Sequence, residues 1–391
     1  MPVKSKVSGT PAVKRVRRET RQSVRKLETH ERILTSARSI ARREGLRAAC
    51  DVVKSVKMCA TTAVILFTGV AFAQQNTELP NLPNPYRMTE NVVTMPSGRV
   101  MGSSNAVNVD SKGNMWVFER CGVNSCTDSK LDPILEFDPS GKFLRGFGGG
   151  MFVMPHAIVP DKDDNIWIVD AGIVENVKGS QIFKFSPTGK LLLTLGKPGV
   201  RGTAPGLFNQ PSDLAISPNG DIYVADGHIE APSNGRVVHL AKDGTFIEAW
   251  GTKGKGPLQF DCPHSIAIDS KGRIFVGDRT NNRIQILSPR GEFIAEWKQF
   301  GRPSGVRILN DILYVTDSES RAVEGQYGYN PGWHRGIRIG KVSDGVVTAF
   351  IPDPAPHDST SFPEGISLDK NGVIWGASVG DRKVTKFVPA R

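Results

Sequence analysis

From residue 103 onward, short apolar runs alternate with polar turn clusters, and the alternation itself repeats. The clearest unit is 154–170. An apolar run, Ala157 to Val159, is followed by the turn residues Asp161 to Asn165. A second run rich in β-branched residues and Trp, Ile166 to Val169, comes next. Period-2 apolar runs bounded by Asp, Asn, Gly and Ser predict two strands joined by a tight turn. The same unit recurs at 103–119, 210–226, 262–278, 302–317 and 362–378, making six copies. Each is followed by a third apolar run and usually a fourth, as at 181–185 and 190–195. Four short strands repeated at roughly 40 to 60 residues predict propeller blades. The fold class is therefore an all-β, six-bladed β-propeller. The sixth copy has only three strands before the chain ends, and a ring cannot leave that edge unpaired. The spare run Asn91–Met95 is expected to pair with 384–387 as the outer strand of the last blade, so that an N-terminal strand closes the ring.

The domain plan follows from charge and composition. The net charge is +11, and residues 1–57 account for all of it, with 16 Lys+Arg against 5 Asp+Glu. The remainder is balanced, so the basic character says nothing about the propeller's partners. Within the leader, 27–46 has an amphipathic helix pattern stopped by Gly45, and it resembles the first helix of tetracycline-repressor-type DNA-binding domains. A recognition helix is needed to read a major groove, and none follows. We read 1–57 as a non-native start or a truncated helix-turn-helix-like remnant, with no nucleic-acid partner. Residues 58–73 form a signal-peptide pattern: basic residues precede it, its apolar run is too short to span a bilayer, and it ends in the small-x-small site Ala71-Phe72-Ala73. Cleavage before Gln74, a periplasmic or secreted location and no membrane attachment after cleavage are expected. Residues 74–85 read as a Pro- and Asn-rich linker and 86–391 as the propeller. In an oxidising compartment Cys121 and Cys126 are expected to form a disulfide, the alternative being a metal pair. Cys262 is expected to be a buried free thiol.

Candidate chemistry appears when the six units are aligned on their turns. The residue just before each innermost strand is Asn105, His156, Ser212, His264, Ser304 and Glu364. Alternate blades lie about 120° apart around the axis, so His156, His264 and Glu364 converge from three sides. Two imidazoles and a carboxylate with an open position form a recognised zinc set. The plain alternative is that each caps its own strand. On the same face, just past the second strands, lie Arg120, Arg279 and His228. The arginines suit an anionic group or an inter-blade ion pair, and His228 suits acid–base work or simply a loop. The loops 318–336 and 352–360 are long enough to lid one face. His334 and His357, which they carry, are expected to be solvated.

The repeats resemble NHL repeats. Over roughly 85–390 the chain resembles peptidyl-α-hydroxyglycine α-amidating lyases. The resemblance is carried by Trp116-Val-Phe-Glu-Arg120, Met154-Pro-His156, Gln210-Pro-Ser-Asp213, Cys262-Pro-His-Ser265 and Gly277-Asp-Arg279. It implies a six-bladed propeller with a central zinc held by three histidines. The implied reaction cleaves a peptidyl-α-hydroxyglycine to a peptide amide and glyoxylate. It places His156 and His264 on two zinc ligands, Arg120 and Arg279 on active-site arginines, and the carbonyls of Val107 and Ile158 on a structural calcium. The chain departs from the pattern at three positions: Glu364 stands at the third zinc histidine, His228 at the catalytic tyrosine, and Gly365 at the calcium-binding aspartate. The expected partner is a small-molecule or peptide substrate, and the expected state is a monomer. Two other readings stay open. Pro363-Glu364-Gly365 also resembles the first metal ligand of gluconolactonase-type calcium hydrolases, and NHL propellers also serve as non-catalytic binders of peptide or sugar.

Overall fold

The computed structural model describes residues 82–228, 232–354 and 362–390. The basic leader, the signal-type segment, most of the linker and His357 lie outside the described residues. The described chain is an all-β, six-bladed propeller of six four-stranded antiparallel sheets, with no helix among the described residues. The innermost strands are Ala106–Val109, Pro155–Pro160, Pro211–Ile216, Pro263–Ile268, Gly305–Leu309 and Gly365–Leu368. Each lies against its neighbours around the ring, and blade six meets blade one.

The turn chemistry makes the hairpins. In blade one the Asp110 carboxylate accepts from the backbone N–H of Lys112 and Asn114, which closes the turn. Asp161, Asp269 and Asp369 do the same in blades two, four and six. The second device is a buried acid at the end of the second strand. Asp170 Oδ1 and Oδ2 accept from the backbone N–H of Met154 and Val153, at 2.7 and 2.9 Å. Asp226 accepts from Asn209 N, Asp278 from Asp261 N, Asp317 from Arg302 N, and Glu119 from Gly102 N. In blades three and four a third-strand arginine, Arg236 or Arg283, pairs with the same acid at 2.8 Å. Apolar side chains fill the wedges between blades. Trp116, Phe118, Phe152, Ile168, Phe183 and Phe185 pack between blades one and two, and each other wedge has its own cluster.

The ring is closed by an N-terminal strand, but not by the residues expected. Tyr86–Glu90 pairs with Val384–Pro389, from Tyr86 opposite Pro389 to Glu90 opposite Thr385. The outer strand of a blade faces solvent, and the polar sequence Tyr-Arg-Met-Thr-Glu suits that place. The apolar residues of 91–95 do another job. Val92, Val93 and Met95 pack into the wedge between blades six and one, and Thr94 bridges to Lys142. Gly141 permits this close approach, since a Cβ there would meet the Val92 carbonyl oxygen at 1.9 Å. Cys121 and Cys126 are disulfide-bonded, and Cys262 is buried and free.

The lower half of the axial channel bears on the calcium expectation. Val107 and Ile158 do line it. However, a Cβ at Gly365 would lie 1.6 Å from the Asn105 carbonyl oxygen, so no side-chain ligand fits there. The Ile158 carbonyl already accepts from Asn108 Nδ2 at 3.2 Å, and Asn108 Oδ1 accepts from Ser367 Oγ at 2.8 Å. Arg307 enters from blade five and pairs with Asp213 at 2.7 Å. The channel thus carries its own fixed cation, and the residues present do not suit calcium.

Deleting 82–90 uncovers the Val384–Pro389 edge, and size-exclusion chromatography is expected to show aggregation in place of a single folded species. Added calcium is expected to leave the melting temperature unchanged. Arg307→Met leaves the buried Asp213 carboxylate with backbone N–H donors from Leu214 and Ile266 but no cation, and is expected to cost about 2 kcal/mol, visible as a fall in melting temperature.

Candidate functional site

The aligned positions do converge on the axis. Asn105, His156, Ser212, His264 and Ser304 line one central space of about 280 Å³, including its solvent-open part. The histidines of blades two and four are held by the serines of the next blades. His156 Nδ1 donates to the Ser212 carbonyl, and His264 Nδ1 to the Ser304 carbonyl, each at 2.6 Å. Donation from Nδ1 leaves each Nε2 as an acceptor, the usual outer-shell arrangement of a metal-binding imidazole, and that of His156 lies 3.2 Å from Asn105 Nδ2. The serines are fixed in turn. Ser212 Oγ donates to the Pro263 carbonyl, and Ser304 Oγ bonds Ser318 Oγ at 2.8 Å.

His228 joins these two, a placement the sequence reading did not give it. Gly227 makes the bend that brings it in. Its φ is 149°, and a Cβ there would lie 1.7 Å from the Asn234 carbonyl oxygen. The ring centroids of His156 and His264 are 4.7 Å apart, those of His156 and His228 4.7 Å, and those of His228 and His264 5.3 Å. One nitrogen from each lies within 4.8 Å of the others, and all three side chains are buried. Glu364 sits at the edge of this trio. Its Oε1 lies 2.9 Å from His264 Nε2 and 3.1 Å from Arg279 Nη1.

The electrostatics explain what such a cluster needs. Burial, then the neighbouring His264 and Arg120, hold the His156 imidazole well below its ordinary pKa. Burial, then His156 and Arg279, do the same to His228. Both rings are neutral near pH 7. Burial alone would raise the Glu364 carboxyl, but His264, Arg279 and Arg120 outweigh it and hold it well below the usual carboxylate range. His264 Nδ1 is committed to the Ser304 carbonyl, so Nε2 is the nitrogen that meets the Glu364 carboxylate at 2.9 Å. His228 Nδ1 is buried with no hydrogen bond among the described residues. These observations fit a metal held by the imidazoles.

The arginines flank the cluster. Arg120 lies against blade two, with Nε donating to the Pro155 carbonyl at 3.2 Å and Nη1 to Asn124 at 2.7 Å. Arg279 is 1% exposed and reaches Glu364, Glu319 at 3.3 Å and His228 Nε2 at 3.4 Å. Glu319 and Tyr327, on the long loop of blade five, were missed. The signal was present: Glu319 stands two residues past the strand-ending Asp317, as His228 stands two past Asp226. His334, in the same loop, is exposed.

Comparison with known proteins fits this geometry. The NHL repeat model matches residues 208–238 and 260–287. The human protein "NHL repeat-containing protein 3" is 30% identical over 298 residues, covering 74% of this chain and 80% of the relative. The Drosophila melanogaster "peptidyl-alpha-hydroxyglycine alpha-amidating lyase 1" is 30% identical over 354 residues, covering 80% of this chain and 61% of the relative. The mouse "peptidyl-glycine alpha-amidating monooxygenase" is 33% identical over 321 residues, and the chain spans 30% of its length. Among solved structures, a Xanthomonas campestris gluconolactonase superposes with a TM-score of 0.52 at 13% identity, covering 78% of this chain and 95% of that one. Virginiamycin B lyase from Staphylococcus aureus superposes at 0.50 and 16% identity, covering 78% and 99%. Those two likenesses show the fold alone. With its repeats, its ring and a relative matched over most of both lengths, the chain belongs to the family of NHL-repeat propeller proteins.

Proposed function

We propose that this protein is an exported, zinc-dependent lyase. It cleaves the C–N bond of an α-hydroxyglycine-type peptide end and releases glyoxylate. The observation that carries the reading is the trio of buried imidazoles set beside two buried arginines. The likeness to the fly lyase and the mouse monooxygenase supports it. His156, His228 and His264 are the metal ligands in this proposal, with Glu364 beside them rather than among them. The reason is that Arg279 already claims the Glu364 carboxylate. When bound there, zinc supplies a Lewis acid for the substrate's hydroxyl.

The chain's own residues do the rest. The buried guanidiniums of Arg120 and Arg279 provide positive charge for the carboxylate that leaves within glyoxylate. Over the whole reaction the C–N bond breaks, a C=O bond forms, and one proton moves from the hydroxyl to the leaving amide nitrogen. Glu364 is the acceptor placed for that transfer. Its low basicity comes first from His264 and then from Arg279 and Arg120, so a substrate carboxylate that shares the guanidinium charge raises it.

The test is metal analysis together with glyoxylate release from an N-acyl-α-hydroxyglycine. The purified protein is expected to hold one zinc. His156→Ala, His264→Ala and His228→Ala are each expected to lose both zinc and turnover. Glu364→Gln is expected to keep zinc and lose turnover by roughly 10²–10³-fold. Zinc retained by His228→Ala but lost by Glu364→Gln would move the carboxylate into the ligand set. A zinc-loaded protein that releases no glyoxylate rejects the lyase, and a protein with no tightly bound metal is instead a non-catalytic binding propeller. Export is tested separately: N-terminal sequencing of the mature protein is expected to begin at Gln74, and a mature chain that retains the leader rejects it.

A further inference from the structure

Asn105 holds the innermost position of blade one, and only half of its side chain is used. It is 7% exposed and lines the axial space with His156 and His264. Ser104 Oγ accepts from the Ala106 N–H at 3.1 Å and donates to the Phe118 carbonyl at 3.0 Å, which fixes the backbone on both sides of it. Asn105 Nδ2 lies 3.2 Å from Nδ1 and 3.2 Å from Nε2 of His156. A donor on the Nε2 lone pair would be nearer to Nε2 than to Nδ1. The amide therefore rests against the ring and leaves that lone pair open to a metal. An N–H is favoured against an aromatic ring, and this turns Oδ1 away from the imidazole. Oδ1 is buried and has no hydrogen bond among the described residues. The other side-chain oxygens that line the space are bonded: Ser212 to Pro263, Ser304 to Ser318, Asp213 to Arg307, and Ser265 to the Val306 N–H. A buried acceptor without a donor is costly, and Oδ1 is placed where a ligand can supply one.

We propose that Asn105 touches the substrate, its Oδ1 accepting from the amide N–H that flanks the reacting carbon. The inference rests on the lyase reading, in which the substrate's hydroxyl goes to the metal and its carboxylate to the guanidiniums. The nitrogen is the polar group left on that carbon. Blade one sets both of its contributions against one dipeptide of blade two: Arg120 Nε donates to the Pro155 carbonyl at 3.2 Å, and Asn105 lies against the His156 ring. A carboxamide is neutral and takes no proton, so the proton balance of the cleavage is unchanged. What Asn105 adds is selection. An ester oxygen in place of the nitrogen carries no hydrogen and turns its lone pairs toward Oδ1. A site built to bond an N–H rejects the analogue that lacks it.

The probes are N-benzoylglycine and O-benzoylglycolate. They share ring, carbonyl and carboxylate and differ only in N–H against O. Neither carries the hydroxyl, so neither is cleaved by the proposed reaction. Binding is measured by isothermal titration to the zinc-containing protein, with zinc counted in every sample. The wild type is expected to bind N-benzoylglycine roughly tenfold tighter or more. Asn105→Leu, similar in size but without an acceptor, is expected to keep zinc and lose most of that preference. Asn105→Asp keeps an acceptor and is expected to keep the preference, while both affinities fall because its charge opposes the ligand carboxylate. A residue that only braced His156 would lower both affinities alike or lose zinc, and the ratio between the two ligands would not move. A wild type that binds the two equally, or binds neither, overturns the proposal with no variant needed. An unchanged ratio or lost zinc in Asn105→Leu overturns it too, as does an Asn105→Asp that loses the preference. If the preference holds while no glyoxylate is released in the lyase assay, the lyase reading fails and the contact stands. If glyoxylate is released but the preference is absent, the reverse is true.

Discussion

Five of the six blades anchor the centre of this ring through a buried acid at the end of the second strand. Asp170, Asp226, Asp278, Asp317 and Glu119 are all fully buried, and each accepts a backbone N–H from the loop that leads into its own blade. That one bond ties together two chain segments that carry site residues. The lead-in loop ends at the innermost strand, where His156 and His264 stand. The acid itself is followed within two residues by Arg120, His228, Arg279 or Glu319. Removing a buried, hydrogen-bonded acceptor leaves its donors unsatisfied, at about 1–3 kcal/mol each. It would also release both segments at once. Blade six has Ala377 and Ser378 at this place instead, and it contributes to the site only through its first strand.

The same logic sets the alternation around the axis. An imidazole on every blade would overfill the channel, whereas small residues on the odd blades leave room and offer carbonyls. Ser212 and Ser304 hold the histidines through their backbone oxygens, so the ring orientations are fixed by inter-blade bonds rather than by loops. Rigidity of this kind presents lone pairs to one point without the cost of ordering them on binding. Burial holds the His156 imidazole well below its ordinary pKa, and metal ligation takes the neutral ring.

How much of this was legible depended on whether a residue's role was local. The hairpins were readable because period-2 runs and Asp-rich turns are local signals. The innermost positions were readable because the repeat supplies its own alignment, and His156, His264 and Glu364 fell out of it. Non-local roles were harder. Apolar 92–95 looked like the closing strand, yet outer strands are exposed, and the polar 86–90 took that position while the apolar run became a wedge filler. The approach of His228 to the other two imidazoles depends on the bend at Gly227, which no pattern in sequence announces. Glu319 was legible in principle, through its offset from Asp317, but the ion pair that gives it meaning joins blades four and five.

The two departures at the centre are best understood as one. The lyase resemblance implies an imidazole at 364 and a phenol at 228, and here a carboxylate and an imidazole stand there. Taken singly, each change is damaging. Glutamate at 364 removes a ligand, and histidine at 228 removes a hydroxyl. Taken together they conserve the number of imidazoles and turn the trio about Arg279. The third ring comes from blade three's exit loop, and Glu364 on blade six supplies the counter-charge that Arg279 meets at 3.1 Å. A histidine placed at 364 alone would crowd a fourth ring into the space and cost Arg279 one of its two carboxylates. The site is therefore coupled. Positions 228, 279 and 364 act as one unit, and the effects of substituting them are not expected to add.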